Sequence, residues 1–202
     1  IQLLHASIAE AEMSFRRLYE EHLPTMRYLA RASVPMPRVF QVTADFLLNS
    51  DLRWDLKDEE PDLKHLRALF QEATTLHVRL DTAGLSYKLK RTLARMAERW
   101  RDLPTDLALV RALDEVVGLA RSLPFEVDLW QPQNVYCELA RTAFPTLLFQ
   151  LAEGDKQAEG WLESFLHLGD KLGVRVAEMQ QQLSDARSVP SAADLLRDVL
   201  TA

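Results

Sequence analysis

Glu126 and Asp128 stand two residues apart in Leu123-Pro124-Phe125-Glu126-Val127-Asp128-Leu129-Trp130-Gln131-Pro132-Gln133-Asn134-Val135-Tyr136, the one stretch of the chain that does not read as amphipathic helix. In an extended segment both carboxylates point to the same side, about 7 Å apart by the two-residue strand repeat. That placement could suit glycoside chemistry in a cleft. It suits helix capping or pairing with arginine equally well. Trp130, Gln133, Asn134 and Tyr136 follow in the same stretch and are the best ligand candidates. Sugar sites combine an aromatic platform with amide groups, because a pyranose has an apolar face and a rim of hydroxyls. The competing expectation is structural: Trp130 buried, with Gln133 and Asn134 satisfying the backbone of an irregular loop. An exposed Trp130 in a concave pocket favours the ligand reading. A buried Trp130 beside a flat apolar patch favours a scaffold.

Other chemistries find less support. His65, Glu72 and His77 share one predicted helix, but their spacings of seven and five do not put ligands on one face at three or four residues. His77 falls on the apolar stripe and reads as a core or boundary residue. His5, His22 and His167 are isolated, and there is no His-Glu-x-x-His or paired-cysteine motif. No metal and no cofactor is expected. Cys137 sits in the first turns of a predicted helix, where a thiol can be acidified. Its neighbours Val135, Leu139 and Ala140 point to burial instead. No Gly-x-Ser-x-Gly and no glycine-rich phosphate loop occurs, so no residue is assigned as catalytic. Lys88, Arg91, Arg95 and Arg99 form a basic stripe with Glu98 and Asp102 beside it. It reads as an ion-paired face or as a docking face for an acidic partner.

These residues need a scaffold, and composition says which kind. A chain of 202 residues can bury a sizeable core. Only 6 glycines, with long runs of Ala, Leu, Glu and Arg, favour helix. The net charge of −6 argues against general nucleic-acid binding, which needs a basic face. The single cysteine excludes an internal disulfide. No apolar run approaches the roughly 20 residues of a membrane span, and a cytoplasmic location is expected. Ile1 does not resemble a natural start, and the chain is expected to be a piece of a longer protein.

The 3.6-residue periodicity predicts an all-α fold, an irregular bundle of about seven to nine helices with no significant sheet. The first helix, residues 1–32, carries Leu4, Ile8, Ala11, Phe15, Leu18 and His22, with Pro24 expected to kink or split it. A second spans 38–56, with Asn49-Ser50-Asp51 as candidates to break it. Lys57 to Glu60 reads as an acidic turn. A third starts at Pro61 and runs through His77 to Leu80, and Asp81 or Thr82 could cap a fourth. The fifth, 106–122, is apolar nearly all round and is expected at the centre. A sixth starts near Pro132 and is interrupted at Pro145. The seventh spans 156–168, followed by a loop or kink from Gly169 to Gly173. Val174–Leu183 and Ala192–Leu200 read as further helices, with Ser184–Ser191 as a polar linker between them. Phe125–Leu129 is the only candidate strand. The expected organisation is a helical domain over 1–183, then a linker and C-terminal helix over 184–202.

Three runs carry a family resemblance: Phe125-Glu126-Val127-Asp128-Leu129-Trp130-x-x-Gln133-Asn134, Phe46-Leu47-Leu48-Asn49-Ser50-Asp51-Leu52-Arg53, and Asp81-Thr82-Ala83-Gly84-Leu85. They resemble the C-terminal helical domain of unknown function that follows the catalytic barrel in bacterial proteins similar to glycoside hydrolase family 57. The resemblance covers about residues 5–177. It implies a non-catalytic accessory domain that packs on the N-terminal catalytic barrel of the same polypeptide and helps line a cleft for an α-glucan or other oligosaccharide. The family's catalytic acids lie on barrel strands, and this chain has none to match them. The alternative is a helical protein–protein interaction module using the basic stripe. Neither nucleic acid nor membrane is an expected partner.

Overall fold

The computed structural model describes residues 2–57 and 61–188, with side chains throughout except at residues 2–8 and Lys156. Eight helices account for this part of the chain, and no strand occurs among the described residues. They are α1 (Gln2–Arg31), α2 (Arg38–Asp55), α3 (Leu63–Thr75), α4 (Thr82–Asp102), α5 (Leu107–Ser122), α6 (Trp130–Ala152), α7 (Lys156–Leu172) and α8 (Ala177–Ser188). The all-α multi-helix expectation holds. The chain forms two compact units, residues 1–88 and 89–202, with the boundary inside α4.

In the first unit α2 packs against α1 and α3. Met26, Ala44, Leu48, Ala73 and Leu76 form a buried cluster, with Tyr19, Leu23, Phe40 and Leu69 against it. Pro24 does not split α1, which runs through it as one helix. Asn49-Ser50-Asp51 do not break α2 either. Asn49 bonds the Arg79 carbonyl and the Asp81 N–H of the following loop as well as the Asp45 carbonyl one turn back, and Asp51 pairs with Arg16 at 2.5 Å. Asp62 caps α3 by accepting from the N–H groups of Lys64 and His65. That helix ends at Thr75, short of the expected Leu80. His77 takes φ +54, and the Val78 N–H bonds back to the Ala73 carbonyl, the left-handed closure of a helix C-terminus. His77 is therefore exposed at a helix end and not in the core.

In the second unit α7 packs against α5, α6 and α8. The central element is α7 and not α5, whose Arg111 and Glu115 face solvent. Phe165 of α7 stacks on Tyr136 at 4.2 Å and on Trp161 at 4.7 Å, with Phe144 and Trp100 at 5.5 and 5.8 Å. Gly169 lies inside α7, where a loop was expected. A Cβ there would stand 2.5 Å from Tyr136 Cζ and 2.6 Å from Val176 Cγ1, so glycine serves close approach and not a turn. The turn comes at Gly173, with φ +74. Pro145 does not interrupt α6. Ser184–Ser188, expected as linker, continue α8, which anchors through buried Leu183 and through Arg187 on Glu159 and Glu163. The rest of that linker, the Ala192–Leu200 helix and most of the acidic turn (residues 58–60) lie outside the described residues. No helix of the described residues is long and apolar enough to cross a membrane.

Candidate functional site

The stretch between α5 and α6 forms no strand. Leu123, Phe125, Val127 and Leu129 are half-buried, while Pro124, Glu126, Asp128 and Trp130 face solvent. Alternation without a partner strand makes one wall of an open groove of about 530 Å³, lined also by Arg121 and Gln133. A groove of that size suits a small ligand. Trp130, the first residue of α6, is 65% exposed at its edge.

Asp128 is fixed from two sides. One carboxylate oxygen accepts from the Trp130 N–H at 2.9 Å, and the other pairs with Lys90 at 2.7 Å. Lys90 first, then that N–H, hold its carboxyl below the ordinary carboxylate range. A general acid needs the opposite shift. Asp128 therefore ties down the start of α6 through the Trp130 N–H and does not form the acid half of a glycosidase pair. Glu126 is exposed and is engaged within the protein.

Gln133 donates Nε2 to the Leu172 carbonyl at 2.8 Å, and Arg121 donates Nε to the Lys171 carbonyl at 2.9 Å. Both bonds satisfy carbonyls that the end of α7 leaves without helical partners. They also brace the groove floor. The sequence reading missed Arg121 and Lys90. A cation in the last turn of α5, where the helix dipole favours it, was the available signal for Arg121. Asn134 is exposed but does not line the groove. Tyr136 lies in the core at 0% exposure, so the structure brings Trp130, Gln133, Glu126 and Asp128 together and leaves Tyr136 out.

The other resemblance-bearing runs meet in the first unit. Asn49 donates Nδ2 to the Arg79 carbonyl at 2.9 Å and accepts from the Asp81 N–H at 2.6 Å. Asp45 accepts from the Arg79 backbone N–H and Nε, at 2.9 and 3.0 Å. Arg53 pairs with Asp81 at 2.7 Å, and Asp81 caps α4 through the Gly84 N–H. Its carboxyl lies below the usual range, through the Gly84 N–H first and then Arg53. This clasp lines a smaller groove of about 360 Å³. Its polar groups pin the α3–α4 loop to α2.

No protein-family model, curated protein or solved structure matches the chain.

The remaining candidates separate. His65 lies 3.4 Å from Asp55, Glu72 is paired with Arg27 at 2.6 Å, and His77 is exposed, so these three make no common site. No cluster of three potential metal ligands occurs among the described residues. Cys137 is half-buried. Lys88 donates to the Arg53 carbonyl at 3.1 Å, while Arg91, Arg95 and Arg99 are exposed.

Proposed function

We propose that this chain is a non-catalytic helical accessory domain of a glycoside-hydrolase-like protein, and that the Trp130 groove contacts a neutral oligosaccharide such as an α-glucan. The observation that carries the reading is Trp130, an indole 65% exposed at the edge of a groove whose neighbouring polar groups are fixed in place. An exposed aromatic on a rigid helix start offers a flat face at little ordering cost. The charged lining groups are already engaged: Asp128 with Lys90, Arg121 with the Lys171 carbonyl, Glu126 within the protein. A neutral, hydroxyl-rich ligand needs none of them released. The assignment to a glycoside-hydrolase-like parent rests on the three sequence runs and stands as part of the proposal.

The test is calorimetric titration with maltooligosaccharides. Stacking a sugar face on an indole removes on the order of 60 Å² of apolar surface from water, about 1.5 kcal/mol or roughly tenfold in affinity. Trp130→Ala should weaken binding by about that factor and leave the fold intact, because the side chain is mostly exposed. Equal binding by both proteins, or none by the wild-type chain and the full-length parent, would sink the contact role.

A further inference from the structure

We infer that the groove bordered by Ser33 and His77 binds a small organic carboxylate with an apolar body. A pair of exceptions points there. Among the described residues four take a positive φ. Two are Gly154 and Gly173, which follow α6 and α7 and adopt that backbone without a Cβ penalty. The other two are Ser33 (φ +53) and His77 (φ +54), which close α1 and α3 in a conformation strained for a residue with a Cβ. The two closures are alike. Ser33 and Val34 donate their N–H groups to the Ala30 and Leu29 carbonyls, and His77 and Val78 donate theirs to Thr74 and Ala73. All four are backbone bonds, so glycine would make them with less strain. The fold alone gives no reason for serine and histidine there, yet both line one groove of about 330 Å³.

The lining sets what fits. Val34, Met36 and Leu76 make the wall apolar, and Gln41 adds an amide. Gln41 Nε2 donates to Asp45 at 2.9 Å and to the His77 carbonyl at 3.3 Å, which braces the wall. No carboxylate lines the groove, although the chain carries −6. Asp45 and Glu72, on the adjoining helices, are paired with Arg79 and Arg27. Arg31 and Arg38 flank the connector between α1 and α2; both are exposed, and neither guanidinium has a partner among the described residues. An ammonium ligand meets that positive edge and is repelled. A carboxylate takes the two-point grip that guanidinium offers, and its body covers the apolar wall. A groove of this volume suits one small molecule. It lies within the first unit and shares no residue with the Trp130 groove, so the two readings stand or fall separately.

The experiment is an NMR titration of the ¹⁵N-labelled chain with 4-phenylbutyrate and with 4-phenylbutylamine, which share a body and differ in charge. A ligand of this size should bind with a Kd of about a millimolar. Phenylbutyrate should shift the Ser33, Val34, Gln41 and His77 amides saturably, and the amine should bind at least several-fold more weakly. Each exposed ion pair contributes about a factor of two to three, so Arg31→Gln/Arg38→Gln should weaken phenylbutyrate binding about five- to tenfold. Ser33→Gly/His77→Gly separates function from folding. It should raise the urea midpoint by relieving the strain and still weaken binding several-fold. A glycine variant that binds as well as wild type, or that is less stable, overturns the inference. So does equal binding of the amine, unchanged binding by the arginine variant, or the lack of any saturable shift at those four amides.

Discussion

Asn49→Ala is the sharpest test of the clasp between α2 and the α3–α4 loop. Asn49 is 7% exposed, and its side chain bridges two backbone groups of that loop. The substitution strips the Arg79 carbonyl of its donor at 2.9 Å and the Asp81 N–H of its acceptor at 2.6 Å. The bond to the Asp45 carbonyl within α2 matters less, since helix geometry already uses that oxygen. Leaving a buried backbone group unpaired costs about 1–3 kcal/mol. Both sites are only partly buried, so the low end of that range applies, about 2–3 kcal/mol together. With a urea slope of about 2 kcal/mol/M, the unfolding midpoint should fall by about 1–1.5 M. Ser50→Ala is the control. Its hydroxyl reaches only Glu12, at 3.3 Å, and should lose less than about 0.5 kcal/mol. Asn49→Asp should be no better than the alanine, because it keeps an acceptor for Asp81 but turns a carboxylate toward the Arg79 carbonyl. If Asn49→Ala and Ser50→Ala unfold at the same urea concentration, the clasp contributes nothing and the reasoning fails.

Four further outcomes follow. Tyr136→Phe should be neutral or stabilise by up to about 1 kcal/mol in denaturant unfolding, because the buried Tyr136 hydroxyl has no hydrogen-bond partner among the described residues and a bonded one would be missed; Gly169→Ala should lose about 2 kcal/mol or more despite alanine's higher helix propensity, since its Cβ would meet Tyr136 and Val176. Asp106→Ala should lose about 1 kcal/mol, seen as a melting point lower by a few degrees, because Asp106 accepts from the Ala108 and Leu109 N–H groups at the start of α5. Burial, helped by Glu72, pushes the Tyr19 phenol up to about 12. The folded state therefore holds its proton above an unfolded value near 10, so this stability is intact below about pH 10 and lost as pH rises toward 12. Stability curves of wild type and Tyr19→Phe should part over that interval, and identical curves would refute the assignment.

The fold was legible because it rests on local rules. Apolar positions such as Leu85, Leu89, Leu93, Met96 and Trp100 repeat at helical spacing, and all five are buried. The cap at Asp81 was readable from residue type and position, whereas Asp62 and Asp106, expected inside their helices, cap them instead. The misread boundaries share one physical cause, that tertiary contact overrode local preference. Pro24 and Pro145 sit inside helices whose packing tolerates a lost backbone bond. Asn49 stays helical because the loop takes its side chain, and Gly169 because Tyr136 needs the space. His77 ends α3 in a left-handed conformation that a periodicity argument does not foresee in a histidine.

The site was legible in part, for a reason that bears on how motifs should be read. The runs that drew attention are rich in Asn, Gln, Asp and Trp, and most of these polar groups work for the fold. Asp128 holds the Trp130 N–H at the start of α6, Gln133 closes α7, and Asn49, Arg53 and Asp81 hold the clasp. Each serves a backbone group that a helix end or loop leaves unpaired, a demand that any all-helical chain must meet somewhere. The Trp130 side chain serves no backbone group in this way: its backbone N–H meets Asp128 while its ring is 65% exposed. A large apolar side chain held open on a rigid turn, beside a groove whose polar walls are braced, gains nothing for stability where it stands. The functional argument for this segment therefore narrows from six candidate residues to one ring and the groove it borders.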